Sequence, residues 1–145
     1  FHLFLEDIMS TPISVVKKRT DYQQPDFLIN HVTLEFTLVE TKTKVICVSK
    51  VSRNGQHNKP LVLDGEDINL LSVHIDGKIL SNYQQTDTTL SIDTDADTFE
   101  LRIENTINPK DNSSLEGLYL AADAYCTQCE AEGFRKITYF MDRPD

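Results

Sequence analysis

Hydrophobic and polar residues alternate along several stretches of the chain. Val32, Leu34, Phe36 and Leu38 are separated by mostly polar residues. Because successive side chains of a β-strand point to opposite faces, this pattern predicts a strand with one buried face. A run rich in β-branched residues follows at 44–53, after a short polar stretch. The two runs therefore predict a β-hairpin.

A second hairpin is predicted farther along the chain. Leu71, Val73 and Ile75 alternate with polar residues, which predicts a strand with these three side chains on one face. The strand leads into Asp76-Gly77, a pair that tolerates the positive φ angles of a tight turn. A return strand is expected directly after the glycine.

Two further alternating runs lie at 89–92 and 99–103, separated by an acidic turn. Helical patterning is weak, and only residues 115–122 could hold about one helical turn. At least six strands without an intervening amphipathic helix predict an all-β domain. Its expected architecture is a mostly antiparallel saddle-like sheet or a sandwich.

The chain divides into three parts on its sequence. Residues 1–8 precede a Met-Ser pair typical of an initiator, and are interpreted as upstream or vector-derived sequence. Residues 9–27 are predicted to be a lead-in, and residues 28–145 the β-rich domain. A strand-like run at 137–141 is followed by no closing element. We therefore expect a domain truncated at its C-terminal end.

The charge balance narrows the classes of partner. With 14 Lys and Arg against 23 Asp and Glu, the 145-residue chain carries a formal net charge of −9. Nucleic acids and anionic membranes attract positively charged surfaces, so neither is an expected partner. The net negative charge would instead attract a substrate with a positively charged terminus. No apolar run approaches the roughly 18 residues of a membrane-spanning helix.

Three cysteines, Cys47, Cys126 and Cys129, are too few and too irregular for a disulfide framework. Their number favours a reducing compartment, and we predict a cytoplasmic protein. The Cys-x-x-Cys spacing at 126–129 leaves a structural metal or a redox role open, but no second pair accompanies it. Two reduced cysteines in or beside the core are the favoured interpretation.

Histidines give no metal-binding pattern. None precedes the Glu-x-x-His sequence of a zinc protease helix, so we do not expect hydrolytic zinc chemistry in this chain. His74 is expected on the polar face of its strand. The four histidines are His2, His31, His57 and His74.

Gln128 and Glu130 are the candidate binding residues. In an extended segment they would share one face, while Cys129 would point to the opposite one. A carboxylate next to an amide oxygen suits an ammonium group, because both groups accept hydrogen bonds and one supplies the opposite charge. From these residues alone, the favoured interpretation is that Gln128 and Glu130 are ordinary solvent-exposed residues of a strand.

One block of sequence lies in the C-terminal part of the chain and consists of Glu116-Gly117-Leu118-Tyr119, the run from Cys126 to Arg135, Ile137-Thr138-Tyr139 and Asp142-Arg143-Pro144-Asp145. This block resembles the N-terminal domain of the bacterial aminopeptidase N family, zinc metallopeptidases of the gluzincin type. Shorter segments at 21–22, 25–27, 64–67 and 72–75 extend the resemblance over most of the chain after about residue 19.

The resemblance implies the first domain of a multidomain enzyme that removes N-terminal residues from peptides. Its partners would be peptides with a free N-terminus and the enzyme's own catalytic domain. The family's amine-binding Gln and Glu correspond to Gln128 and Glu130. The family's zinc ligands have no counterpart here, so zinc would be bound outside this chain, which alone should be inactive.

A stand-alone β-sandwich that binds peptides or proteins is the alternative function. In that case the acidic surface would bind a basic peptide without any catalytic partner. A redox or metal switch on Cys126 and Cys129 is a third and weaker candidate.

Overall fold

A computed structural model describes residues 23–143, which form ten strands and one short 3₁₀ helix. The predictions for residues 1–8, for His2 and for most of the lead-in lie outside the described residues. The strands are β1 (Phe27–Thr37), β2 (Thr43–Arg53), β3 (Leu61–Asp64), β4 (Asn69–Ile75), β5 (Lys78–Ile79), β6 (Tyr83–Gln85), β7 (Thr89–Ile92), β8 (Thr98–Ile107), β9 (Gly117–Ala121) and β10 (Ala124–Gln128), and the 3₁₀ helix is Phe134–Lys136.

Three antiparallel sheets make up the fold. The largest has five strands in the order β1-β2-β8-β4-β5, the second has the order β3-β7-β6, and β9 and β10 form a separate hairpin. The predicted all-β, mostly antiparallel architecture is confirmed. The acidic turn before β8 carries the chain from one sheet to the other, because β7 and β8 belong to different sheets.

Buried side chains form two hydrophobic clusters. The cluster that we call the first core draws on both the five-stranded and the three-stranded sheet, and eleven buried residues form it. Its members are Phe27, Val51, Leu61, Leu63, Val73, Leu90, Ile92, Phe99, Leu101, Ile103 and Tyr139. Alternation along β2, β7 and β8 places these residues on the facing sides of the sheets.

The second core is smaller and lies between the five-stranded sheet and the hairpin. Its buried residues are Val45, Ile107, Leu118 and Ile137, and partly buried Cys129 and Phe134 pack against them. The end of β1 beside this cluster is incompletely covered: Phe36 pairs with Val45 across the strands but is 37% exposed. Leu38, expected to be buried, lies after the end of β1 and is 51% exposed.

The hairpin predicted at Asp76-Gly77 is confirmed. Asp76 and Gly77 have φ angles of 50° and 78°, and β4 pairs with β5 on either side of them. Two consecutive positive φ angles are the requirement of a type I′ turn, whose twist matches that of the flanking strands.

The predicted face of β4 is partly wrong. The pairing of β4 with β8 shifts between Leu70 and Ser72, which is a β-bulge. Because the bulge adds one residue, Leu71 is 49% exposed, whereas Val73 stays fully buried. Leu70 packs against the first core instead.

Two other local expectations are wrong. The stretch 115–122 holds β9 rather than a helical turn, with Leu118 packed into the second core. The strand-like run 137–141 forms a single bridge between Phe140 and Asp64 instead of a strand. Its buried residues pack in both cores, so its hydrophobic pattern reflects burial without sheet pairing. None of the helices in the described range 23–143 has the length and hydropathy to cross a membrane.

Candidate amine-binding site

Gln128 lies at the end of the β9–β10 hairpin. It is the last residue of β10 and pairs with Gly117, while its side chain is exposed. Within residues 23–143 its amide makes no hydrogen bond to another side chain or backbone group. The amide is therefore available to a ligand.

Glu130 lies in a turn that follows the strand. The extended geometry expected for residues 128–130 is wrong beyond Gln128, because β10 ends there. Cys129 packs against the second core, whereas Glu130 is exposed. Cys129 therefore points inward and its two neighbours point outward, as expected. This orientation arises from a turn and not from an extended strand. Among the described residues, the carboxylate of Glu130 forms no ion pair.

Gly133 closes this turn against the strand end. Its N–H donates to the carbonyl oxygen of Cys129 at 3.0 Å. A Cβ atom at this buried position would lie 2.5 Å from the Gln128 carbonyl oxygen and 3.0 Å from the Cys129 Cα. The turn and the strand end are therefore packed backbone against backbone, which requires glycine.

A buried polar pair fixes the segment after the 3₁₀ helix. Asn105 on β8 donates to the Ile137 carbonyl oxygen at 2.9 Å and accepts from the Thr138 hydroxyl at 2.8 Å. Asn105 and Thr138 are both fully buried. Sequence reasoning missed Asn105, although a polar residue in phase with Leu101 and Ile103 on an alternating strand is a usable signal.

Charged groups anchor the 3₁₀ helix to Asp142 and to the loop between β3 and β4. The backbone N–H and the Nε of Arg135 both donate to Asp142 Oδ2, at 3.0 and 3.1 Å. Lys136 lies 3.3 Å from Glu66 and 3.8 Å from Asp67. Sequence reasoning missed these partners, because no local pattern predicts which charges the fold brings together.

All three cysteines are free thiols. Cys47 is buried, and burial raises the pKa of its thiol although a hydrogen bond with Ser49 opposes the shift. Burial and, to a lesser extent, the negative charge of Asp142 raise the pKa of the Cys129 thiol. Raised pKa values disfavour the reactive thiolate, so Cys47 and Cys129 are poorly suited to redox chemistry.

The described histidines are separate from one another and from Gln128 and Glu130. His57 contacts the Asp26 carbonyl oxygen at 2.7 Å and stacks edge-on against Phe27, which is a structural role. His74 lies on the polar face of β4, as predicted, and its Nδ1 is buried without a hydrogen-bond partner. His31 contacts the Thr33 hydroxyl.

The part of the chain that the structure describes does not provide a suitable set of zinc ligands. Within residues 23–143, no three His, Cys, Asp or Glu side chains are grouped to hold a metal ion. Cys126 and Cys129 do not combine with a third ligand.

Comparison with known proteins identifies close relatives. No family model matches the chain. Aminopeptidase N of Escherichia coli is 47% identical over 129 residues, which are 89% of this chain and 15% of that protein. Aminopeptidase N of Haemophilus influenzae is 41% identical over 92% of the chain and 16% of the relative. The chain therefore spans about one-sixth of the length of these relatives.

Solved structures show the same fold. Legionella pneumophila aminopeptidase A, in complex with aspartic acid, superposes with a TM-score of 0.78 at 30% identity, over 89% of this chain and 16% of that chain. An M1 zinc metallopeptidase from Deinococcus radiodurans superposes with a TM-score of 0.66 at 19% identity, over 82% of this chain and 30% of that chain, and shows the fold alone. The resemblance found in the sequence is confirmed: the chain is homologous to an N-terminal part of the aminopeptidase N relatives, and it has the all-β fold of the corresponding part of the solved structures.

Proposed function

We propose that this homologue of the aminopeptidase N first domain belongs to a zinc-dependent enzyme that removes N-terminal residues from peptides. Its similarity to aminopeptidase N over about nine-tenths of the chain supports this proposal. The domain would bind the substrate's α-amino group, and the zinc site and the catalytic residues would lie in other parts of the enzyme.

Glu130 would provide the charge for amine binding. A carboxylate that no protein cation neutralises can accept hydrogen bonds from an ammonium group and supply its counter-charge. The side-chain oxygen of Gln128 would accept a further hydrogen bond and orient the amine. One observation carries this assignment. The Gln128 amide and the Glu130 carboxylate are exposed and have no partner among the described residues, and Gly133 packs the turn that carries Glu130 tightly against the end of β10.

This arrangement would select free N-termini over internal peptide bonds. An internal peptide offers no positive charge, so the Glu130 carboxylate would lose water without gaining a counter-charge when such a chain binds. The related Legionella protein binds aspartic acid, a molecule with a free α-amino group. That molecule belongs to the chemical class that an amine-binding site would accept.

Replacing Glu130 in the full-length enzyme tests the assignment. Glu130→Ala should lower kcat/KM for a neutral aminoacyl substrate by about tenfold or more, because a charge-assisted hydrogen bond contributes about 1.5–3 kcal/mol. Glu100→Ala is the matched control, since Glu100 is an exposed glutamate near the start of β8, whereas the second core lies at the other end of that strand. A change below about threefold for Glu130→Ala would refute amine binding by this residue.

The domain's other proposed partner is the catalytic part of the same enzyme. Phe36, Leu38 and Val39 are 37%, 51% and 48% exposed, and Phe36 pairs with Val45 of the second core. Contiguous exposed apolar groups of this kind are typical of interfaces. The isolated chain should show no peptidase activity with added zinc, and hydrolysis of an aminoacyl substrate by it would contradict the proposal.

The gene sequence downstream of residue 145 separates this function from a stand-alone binding module. A His-Glu-x-x-His helix with a further glutamate downstream would establish the zinc aminopeptidase. A stop codon within a few residues would leave the binding module as the function.

A cytoplasmic location is also proposed. The free cysteines fit a reducing compartment, in which thiols stay reduced. Fractionation of cells that express the tagged enzyme tests this, and recovery in the periplasmic or secreted fraction would overturn it.

A further inference from the structure

Arg135 makes a dense set of charged contacts close to the candidate site. Besides the two hydrogen bonds to Asp142 Oδ2, its Nη2 donates to the Asp142 carbonyl oxygen at 2.9 Å. The side chains of Arg135 and Asp142 are only 18% and 10% exposed. Three hydrogen bonds join these two residues, one of them between the charged groups, and hold the six residues between them in one geometry.

The same guanidinium reaches two other carboxylates. Its Nη2 lies 3.6 Å from Glu132 Oε2 and 4.0 Å from Asp64 Oδ2. Glu132 belongs to the turn that carries Glu130, whereas Asp64 ends β3 in the three-stranded sheet. Arg135 thereby connects the turn to the sheet, and the Glu66 N–H reinforces the connection by donating to the Arg135 carbonyl oxygen at 2.8 Å.

These contacts are coupled to the binding residues through short backbone links. Gly133, two residues before Arg135, donates to Cys129 and packs against the Gln128 carbonyl oxygen. A shift of Arg135 would therefore move the backbone on both sides of Glu130. Asp142 is also close enough to contribute to the raised pKa of the Cys129 thiol, after the larger effect of burial.

The contacts also distinguish the carboxylates around the turn. Asp64, Glu132 and Asp142 are all paired with Arg135. Glu130 has no cationic partner within residues 23–143. Among these four acids, Glu130 is therefore the one whose carboxylate has no cation beside it in the described part of the chain.

We propose that Arg135, held by Asp142, is the positioning residue of the amine-binding turn. It fixes the backbone that presents Gln128 and Glu130. This inference rests on the proposed function. It assigns to Arg135 no contact with the substrate.

The test measures recognition of the amine separately from total activity. In the full-length enzyme, inhibition constants are determined for an α-amino hydroxamate and for its des-amino counterpart. Their ratio reports binding of the amino group, because the rest of the two inhibitors is identical. Loss of folded enzyme lowers activity but leaves this ratio unchanged.

Arg135→Lys keeps the charge but cannot reproduce the forked contacts with Asp142. We expect it to reduce the inhibitor ratio by about tenfold, the size of effect that follows from a small misplacement of a binding group. Arg53→Lys is the matched control. Arg53 is also a buried arginine, but it bonds to the carbonyl oxygens of His57, Lys59, Thr94 and Ala96. Its variant should leave the ratio unchanged.

Each outcome has a defined meaning. The positioning role is overturned if Arg135→Lys leaves the inhibitor ratio at the wild-type value while Glu130→Gln removes the preference for the amino compound. In that case amine binding by Glu130 still stands. A ratio unaffected by Glu130→Gln would refute the proposed function itself. If Arg135→Lys yields no folded enzyme, Asp142→Asn provides the same test, because it removes the charge while keeping the side chain's shape. A ratio unchanged in Asp142→Asn then overturns the positioning role.

Discussion

The two hydrophobic cores of this domain differ in how completely they are enclosed. The first core has eleven buried residues and is covered on both sides by sheets. The second has four, and the hairpin and the segment after it provide its cover. The candidate binding residues lie over the second core. The candidate site therefore lies over the less enclosed of the two cores.

The second core compensates for its size with polar contacts. Asn105 binds the segment after the 3₁₀ helix, and Arg135 binds Asp142 at its end. Directional hydrogen bonds define one geometry, whereas apolar contacts allow neighbouring packings of similar energy. A binding turn over a small core can thus be held in place without extensive hydrophobic burial.

The largest expected effect is truncation in the first core. Leu90→Ala removes a fully buried side chain between two sheets, where the surroundings cannot collapse, and should cost about 3–5 kcal/mol of unfolding free energy. Leu118→Ala, in the second core, should cost about 2 kcal/mol because the hairpin can move inward. Urea denaturation of both variants measures the difference. Equal losses would show that the two cores contribute alike.

The next largest effect is expected at the turn that carries Glu130. Gly133→Ala places a methyl group 2.5 Å from the Gln128 carbonyl oxygen, so the turn must move, at a cost of about 1–3 kcal/mol. Amine recognition by the full-length enzyme should fall with it.

Gly77→Ala is the matched control for this variant. Gly77 has a φ angle of 78° and no atom within 4 Å of an added Cβ, so its cost of about 1 kcal/mol is conformational. Inhibitor ratios measured on both variants should change for Gly133→Ala alone. Retained amine recognition in Gly133→Ala would show that the turn tolerates displacement.

Removal of the buried amide tests the polar support of the second core. Asn105→Ala leaves the Ile137 carbonyl and the Thr138 hydroxyl without a partner, and should cost about 1–3 kcal/mol. A double-mutant cycle with Thr138→Val isolates the interaction between the two side chains. A coupling energy near zero would indicate that the hydrogen bond does not stabilise the segment.

The smallest effect concerns the polar face of the five-stranded sheet, remote from both cores. Hydrogen bonds from Ser72 and then Arg102 lower the pKa of Glu104. A lowered folded-state pKa gives stability that is present above the unfolded-state value and is lost as pH falls through the folded-state value. Ser72→Ala should therefore destabilise the domain by about 1 kcal/mol at neutral pH, and less in acid.

Denaturation at a series of pH values measures this effect. Ser52→Ala is the matched control, since Ser52 accepts a hydrogen bond from Asn30 and contacts no carboxylate. Its cost should not vary with pH. A cost of Ser72→Ala that stays constant down to acidic pH would contradict the assigned role of Glu104.

Much of the fold could be predicted from local patterns, and the failures have identifiable causes. The strand at 89–92 was predicted at its observed bounds, because an alternating run needs no information about its neighbours. Leu71 was misplaced, because a bulge depends on the pairing with β8. The run 137–141 was misread as a strand, because irregular buried segments and strands share the same hydrophobic residues.

The sequence by itself determined the all-β class, the tight turn at Asp76-Gly77 and, through family resemblance, Gln128 and Glu130 as candidate binding residues. Only the tertiary structure decided which sheet each strand joined and that Arg135 meets Asp142 beside the turn that carries Glu130. Alternation and turn chemistry act between neighbouring residues, so they can be read along the chain. Sheet order and ion-pair partners depend on the path of the whole backbone, which no short segment specifies.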